Sequence, residues 1–276
     1  MSRVVETAIA AARAGGEVLL ANFRNLPPGS IAEKVLNDFV TTADRASEKT
    51  VVQTIRDAFP RDNFLAEEGG TAGSAGDPDA RTWIIDPLDG TSNFIAGFPF
   101  WCVSIGAREK GGMTAGVIWD PLRGELFAGE RGGGAFRNGE RMRVTARQGL
   151  RGAFLGTGFP FRSRDRIDPY LALFKAVFLE ARAIRRAGSA ALDLAMVAAG
   201  VFDGFFEFRL SIWDIAAGSL LIEEAGGELT DFDGGQRHWQ RGNVVGGNAS
   251  VARAIRDKAK ELFKEEEIGG AGSSSI

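Results

Sequence analysis

At 276 residues, with 44% hydrophobic and 25% charged residues, the chain has the composition of an ordinary soluble globular protein, long enough for one sizeable domain or two fused ones. A net charge of −3 and a pI near 5.5 give no basis for a nucleic-acid binder. One cysteine, Cys102, excludes an internal disulfide framework; with one histidine, His238, a zinc site of nitrogen and sulfur ligands is excluded too, so any metal must be held by oxygen.

In chain order, Val5, Ile9, Ala12, Gly16, Leu19 and Phe23 follow the spacing of an amphipathic helix. Arg3, Glu6, Arg13 and Glu17 interrupt that stretch too often for a membrane span, and no targeting segment is evident, so a cytoplasmic location is expected. Asn25 to Gly29 is a Pro/Gly break, and a second helix is expected from Thr42 to Phe59, stopped by Pro60. Strands are expected at Phe64–Ala66, Thr82–Asp86, Trp101–Ala107, Met113–Trp119, Glu125–Glu130 and Gly134–Arg137, with Asn138-Gly139 as a hairpin signal. Residues 1–148 thus read as an α+β half with a mostly antiparallel sheet.

From 149 to 264 the pattern becomes α/β. Strands are expected at Gly152–Gly156, Arg182–Arg185, Val201–Phe208, Glu228–Phe232 and Asn243–Gly247. Helices are expected from Asp168 to Ala181, from Gly188-Ser189 to Gly200, from Asp214 to Ala225 and from Ser250 to Phe263. Residues 265–276 end in a Gly/Ser-rich tail expected to be disordered. Cys102, in the run Trp101 to Ile105, reads as a buried inert thiol, and His238, in a polar stretch, as an exposed surface histidine.

The most informative segment runs from Trp83 to Phe94. An apolar β-like run feeds Asp86 and Asp89, and Gly90-Thr91-Ser92 follows. Pro87 biases Asp86 toward an extended conformation at the strand end, which leaves Asp89 in the turn. Hard oxygen ligands beside free backbone N–H groups suit a divalent cation and a phosphate together; the same letters also spell an ordinary turn. Three further acidic segments follow the theme: Asp38 to Asp44, Phe64 to Gly70 with Glu67 and Glu68, and Ile212 to Gly218 with Asp214. Asp214 also stands where a helix N-cap would, and Glu67-Glu68 also reads as a solvated charge pair. Four converging carboxylates would repel one another without a cation, so convergence and metal binding stand together.

These four segments, in this order, resemble the inositol monophosphatase family of magnesium-dependent, lithium-sensitive sugar phosphatases, and the resemblance runs from the first helix to about Phe263. It implies a five-layer αβαβα sandwich with the active site between the two halves. By that resemblance Glu67, Asp86 and the carbonyl of Leu88 match the ligands of a first, water-activating metal. Asp86, Asp89 and Asp214 match those of a second metal beside the leaving oxygen. Two or three magnesium ions are implied, with manganese as a substitute and lithium as an inhibitor. Thr91 matches the hydroxyl that orients the attacking water, with Asp44 as its acceptor. The N–H groups of Gly90 and Thr91 match the phosphate cradle, and Lys34 falls on the family's mobile loop.

Glu207 matches the family's contact to substrate hydroxyls, and Gly188-Ser189-Ala190 its small-residue turn near the sugar. Arg162, Arg164, Arg185 and Arg186 offer cations for a second phosphate. The expected activity is therefore hydrolysis of a sugar phosphate, with myo-inositol 1-phosphate first and fructose 1,6-bisphosphate second. Histidinol phosphate and adenosine 3′,5′-bisphosphate belong to related families, and a non-catalytic binding or scaffold protein is the reading from another class. No membrane or nucleic-acid partner is expected. A homodimer is implied, with Phe98-Pro99-Phe100-Trp101 as a contributor to its interface or, equally, to the core.

Overall fold

The computed structural model describes residues 1–36, 38–72, 80–161 and 163–262. Helix α1 (Arg3–Asn22) starts at the N-cap Ser2 and buries its small and apolar stripe. A hairpin of β1 (Ile31–Val35) and β2 (Asp38–Thr41), absent from the sequence expectations, leads into α2 (Thr42–Ala58). There follow β3 (Asn63–Ala66), β4 (Gly70–Ala72), β5 (Thr82–Asp89), the short α3 (Thr91–Ala96), β6 (Cys102–Glu109), β7 (Gly112–Asp120), β8 (Glu125–Glu130), β9 (Gly134–Arg137) and β10 (Glu140–Arg141). These form an eight-stranded sheet in the order β10-β9-β8-β7-β6-β5-β3-β4, antiparallel except where β3 joins β5. Asn138 and Gly139, both at positive φ, make the expected tight turn between β9 and β10.

The remaining elements are β11 (Phe154–Thr157), α4 (Ile167–Phe178), β12 (Ala183–Arg185), α5 (Ala190–Ala198), β13 (Gly204–Glu207), α6 (Ile212–Glu224), β14 (Glu228–Thr230), α7 (His238–Arg241), β15 (Val244–Gly247) and α8 (Ala249–Leu262). They build a five-stranded mixed sheet, β12-β11-β13-β15-β14. Helices α1 and α2 cover the outer face of the large sheet, and α4 and α8 the outer face of the small one. Helices α5 and α6 lie between the sheets. The result is the five-layer αβαβα arrangement.

The middle layer is legible in its residues. Helix α5 is apolar all round apart from Asp193, and every one of its residues is buried, as such a helix requires. Helix α6 comes close to the large sheet because Gly116 has no side chain: a Cβ there would lie 2.7 Å from the carbonyl oxygen of Ala217. No helix among the described residues is long and apolar enough to cross a membrane.

Three expectations are corrected. Strand β5 does not stop at Asp86 but runs on to Asp89 through an irregularity in its pairing with β6. Helix α6 begins before Asp214, which is therefore inside it rather than at its N-cap. His238 is buried, with 1% of its surface exposed. The preceding polar residues are folded into a turn by Asp231, whose Oδ1 accepts the N–H groups of Asp233 and Gly235, and this turns His238 inward onto Trp239. The expected disordered tail at 265–276 and Arg162 lie outside the described residues.

Candidate active site

The site is built around the irregularity in β5. Asp86 pairs with Ser104 and Asp89 with Cys102, so three steps on β5 oppose two on β6. In a regular strand, residues three apart point to opposite faces; the extra residue brings Asp86 and Asp89 to the same face. Pro87, which has no N–H to donate, occupies the disrupted stretch, and its carbonyl accepts the Ser47 hydroxyl at 3.0 Å. The N–H of Leu88 donates to Asp86 Oδ1 at 3.0 Å.

Asp214 joins them from α6. It is the third residue of that helix, and its Oδ2 accepts the Ser211 N–H at 2.7 Å. Asp86, Asp89 and Asp214 are all buried, and ligand oxygens from the three lie within 4.8 Å of one another. Glu67, just beyond β3, lines the same cleft and is ion-paired with Lys34 at 3.1 Å. Lys34 also contacts Glu68, and its position is in strand β1 rather than in a loop.

The electrostatics are those of a cation site. Burial holds the Asp86 carboxyl well above its usual range, and the charges of Glu67, Asp89 and Asp214 push it further. Asp89 is raised to about 6 by burial, against the hydrogen bonds from Ser189 and Ala191. Uncompensated, such a cluster is costly. Its all-oxygen donor set suits a hard cation.

Asp44 and Thr91 form the second part of the site. Asp44 is the third residue of α2, where its Oδ2 accepts the N–H of Thr41 at 2.9 Å and the Thr41 hydroxyl at 2.5 Å. Its Oδ1 accepts the Thr91 hydroxyl at 3.1 Å, and the carbonyl of Leu88 lies 3.0 Å from the same hydroxyl. Burial raises Asp44 to about 6 despite these bonds. Gly90, at φ +97°, makes the turn into α3; a Cβ there would come within 3.0 Å of the Phe100 carbonyl.

The far wall comes from the second sheet and the start of α5. Ser189, the N-cap of α5, donates its hydroxyl to Asp89 Oδ2 at 2.5 Å, and the N–H of Ala191 donates to the same oxygen at 2.7 Å. The Gly188-Ser189-Ala190 turn therefore grips Asp89, a role the sequence did not suggest. Asn93 ties this turn to the first half, donating to the carbonyls of Phe100 and Ala187 at 2.7 and 2.9 Å. Glu207, at the end of β13, lines the cleft directly over Gly158, where a Cβ would lie 2.1 Å from its carboxylate. Arg186 also lines the cleft, its guanidinium 4.8 Å from the ring centre of Phe161 and 5.8 Å from that of Phe159. Cys102 is buried as expected, and burial together with the Asp89 charge pushes its thiol well up, away from the reactive thiolate.

The fold agrees with comparisons across known proteins. Residues 1–265 match the family model described as the inositol monophosphatase family. The chain is 46% identical over 257 residues to a Pseudomonas aeruginosa protein named Nus factor SuhB, covering 92% of this chain and 95% of that one. Among solved structures, the extragenic suppressor protein suhB of Bartonella henselae superposes with a TM-score of 0.89 at 39% identity, covering 95% of this chain and all (100%) of that one. A Thermotoga maritima IMPase gives 0.86 at 35% identity, covering 98% of this chain and 100% of that one. The chain belongs to the inositol monophosphatase family.

Proposed function

We propose that the protein is a magnesium-dependent phosphatase of sugar or polyol monophosphates, with myo-inositol 1-phosphate as first substrate. The observation that carries the reading is the meeting of Asp86, Asp89 and Asp214 in one cleft with the Thr91–Asp44 pair. Asp86, Asp89 and Asp214, with Glu67 and the Leu88 carbonyl, would hold two or three magnesium ions; manganese would substitute and lithium inhibit. When bound, the metal supplies charge neutralisation at the phosphoryl group, acidification of water and relief for the leaving alkoxide. Thr91 orients the attacking water, and Asp44 draws on the Thr91 hydroxyl proton. The N–H groups of Gly90 and Thr91 receive phosphate oxygens. Glu207 accepts hydrogen bonds from polyol hydroxyls across the cleft from the metal ligands. Gly188 and Ala190 border this space, while Ser189 serves by holding Asp89.

Fructose 1,6-bisphosphate is the second substrate proposed, because Arg186 offers a cation in the same cleft. A non-catalytic role is favoured by one finding only, the name Nus factor carried by the Pseudomonas relative. The complete carboxylate set argues that catalysis is retained beside any such role. The deciding experiment is phosphate release from myo-inositol 1-phosphate in magnesium, lost in EDTA and restored by excess metal; full activity in EDTA would sink the reading.

A cytoplasmic homodimer remains part of the proposal. Trp101 is fully buried in the protomer, so of the aromatic run it is Phe98, 52% exposed, that is offered to a partner. Light scattering that returned a mass of 29.5 kDa at micromolar concentration would reject the dimer.

A further inference from the structure

Asp193 is the one acidic residue of α5, a helix otherwise made of Ala, Leu, Met and Val. It is 1% exposed, and its Oδ1 makes no hydrogen bond with any described residue. Its backbone is ordinary helix, the N–H donating to the Ser189 carbonyl at 3.0 Å. It lies three positions after Ala190 and so shares that residue's face of the helix, and both line the catalytic cleft. Buried acids are normally paired or hydrogen-bonded, because burial without a partner is costly. An acid with a buried oxygen that has no partner among the described residues, on the border of a ligand cleft, points to a partner supplied by the ligand.

The surroundings limit what that partner is. Asp193 is outside the group of carboxylates close enough to share a cation, which contains only Asp86, Asp89 and Asp214 among the described residues. The carboxylates of Glu207 and Asp89 beside it disfavour a phosphate. The charged groups that face it are Glu207 from β13, Asp89 from β5 and Arg186 from the segment before α5. A hydroxyl is what remains: it pairs with a carboxyl whether that group donates or accepts.

We propose that Asp193 and Glu207 together form a hydroxyl-reading subsite, which takes two hydroxyl groups of a polyol phosphate while its phosphoryl group sits at the Asp86–Asp89–Asp214 cluster. The inference rests on the phosphatase reading above and adds a specificity residue to it. Burial, reinforced by the charges of Glu207 and Asp89, favours the neutral acid at Asp193 over the opposing pull of Arg186. In that form Asp193 donates and Glu207 accepts. The pair thereby selects substrates with neighbouring hydroxyls over simple phosphate esters. The unsatisfied acid is a cost to folding that the ligand relieves.

The test compares the wild type with Asp193→Ala, Asp193→Leu and Asp193→Asn on myo-inositol 1-phosphate and on phenyl phosphate, which has no hydroxyl groups to read. Removing a hydrogen-bonding group from a polar subsite is expected to lower kcat/KM on the inositol ester by roughly 10- to 100-fold, mainly through KM, and to leave phenyl phosphate within about 3-fold. Asp193→Asn, which can still donate, should keep most of the activity. Melting temperatures of the Ala and Leu variants should be unchanged or raised. Equal losses on both esters, or a lower melting temperature with no change in selectivity, would overturn the subsite. Calorimetric binding of the two esters in calcium reads the same selectivity without turnover. If the wild type hydrolyses neither ester the phosphatase reading fails, while the binding arm still decides the role of Asp193: preferential binding of the inositol ester, lost in Asp193→Ala, supports it, and equal binding refutes it.

Discussion

The Thr91 hydroxyl lies 3.1 Å from Asp44 Oδ1 and 3.0 Å from the Leu88 carbonyl, so two acceptors compete for its one proton. A water that approaches Thr91 therefore meets a hydroxyl oxygen whose proton is already committed, and whose lone pairs are free to accept. In the mechanism proposed above, the pair aims the attacking water and takes up its proton. Thr91→Ala is expected to lower kcat by roughly 10²–10⁴-fold, the usual size of lost acid–base assistance, with a small effect on KM. Thr91→Ser should recover much of the loss, since it restores the hydroxyl. A Thr91→Ala enzyme with wild-type kcat would remove the pair from the mechanism.

Metal should stabilise the folded protein, and more at high pH than at low. Asp89 is raised in the folded state to about 6 from the ordinary 3.8, so its cost to folding is fully present above about pH 6 and fades as pH falls toward 3.8. A cation removes that same cost and competes with protons for the same oxygens. The magnesium-induced rise in melting temperature should therefore be larger at pH 7.5 than at pH 5, and smaller in Asp89→Asn and Asp214→Asn at either pH. Thermal melts with magnesium and with EDTA check this; an equal rise at both pH values would contradict it.

Much of this candidate site is legible in the sequence because its acidic residues fall in short, chemically marked segments that carry the family resemblance. Asp86, Asp89, Thr91 and Asp214 sit beside Pro, Gly and apolar runs that mark these segments, although the strand end and the helix start fall a few residues from where those runs suggest. What was not legible depends on contacts between distant segments. Ser189 gives no sign of serving Asp89, a hundred positions away in the chain, and the hydrogen bond appears only when α5 meets β5. The irregular pairing of β5 likewise needs β6 beside it. Thr41-x-x-Asp44 and Ser211-x-x-Asp214 are both capping-box patterns, and both acids occupy the third position of their helices. The helix starts that anchor these carboxylates also bring Asp214 to the cleft and Asp44 to the Thr91 hydroxyl. His238 was misread because its polar neighbours describe a turn, and composition does not tell which way a turn faces.

The buried histidine has a consequence for acid stability. Burial holds the His238 pKa below its ordinary 6.5, against the pull of the Gly235 hydrogen bond and the Asp231 charge, and Nδ1 has no partner among the described residues. The unfolded chain then binds the proton more readily, so the contribution of His238 to stability is present above pH 6.5 and lost as pH falls below it. Carboxylates such as Asp44 and Asp89 shift with the opposite sign, but equally in wild type and variant. The difference between wild type and His238→Gln should hence be constant from pH 8 to about 6.5 and change below that, with the variant losing less. Thermal melts across this range decide it, and parallel curves down to pH 5 would mean that His238 stays unprotonated or titrates alike in both states.

In the proposed reading, Arg186 is the residue that would admit a second phosphate. Its guanidinium is held over Phe161 and Phe159 at the edge of the cleft, where the flat faces of the rings support the cation without using up its N–H donors. A second phosphate on the sugar would find those donors, and a charge-assisted pair of that kind contributes about 1.5–3 kcal/mol, or roughly 10- to 100-fold in affinity. Arg186→Ala should therefore lower kcat/KM for fructose 1,6-bisphosphate by that factor and leave myo-inositol 1-phosphate within about 3-fold. Arg186→Lys should recover only part of the loss, because an ammonium lacks the planar fork and stacks less well on the two rings. The comparison needs both substrates in one preparation, so that a folding defect would show as a loss on each. If Arg186→Ala leaves both values unchanged, the arginine does not meet a second phosphate, and the bisphosphate loses its claim as a second substrate.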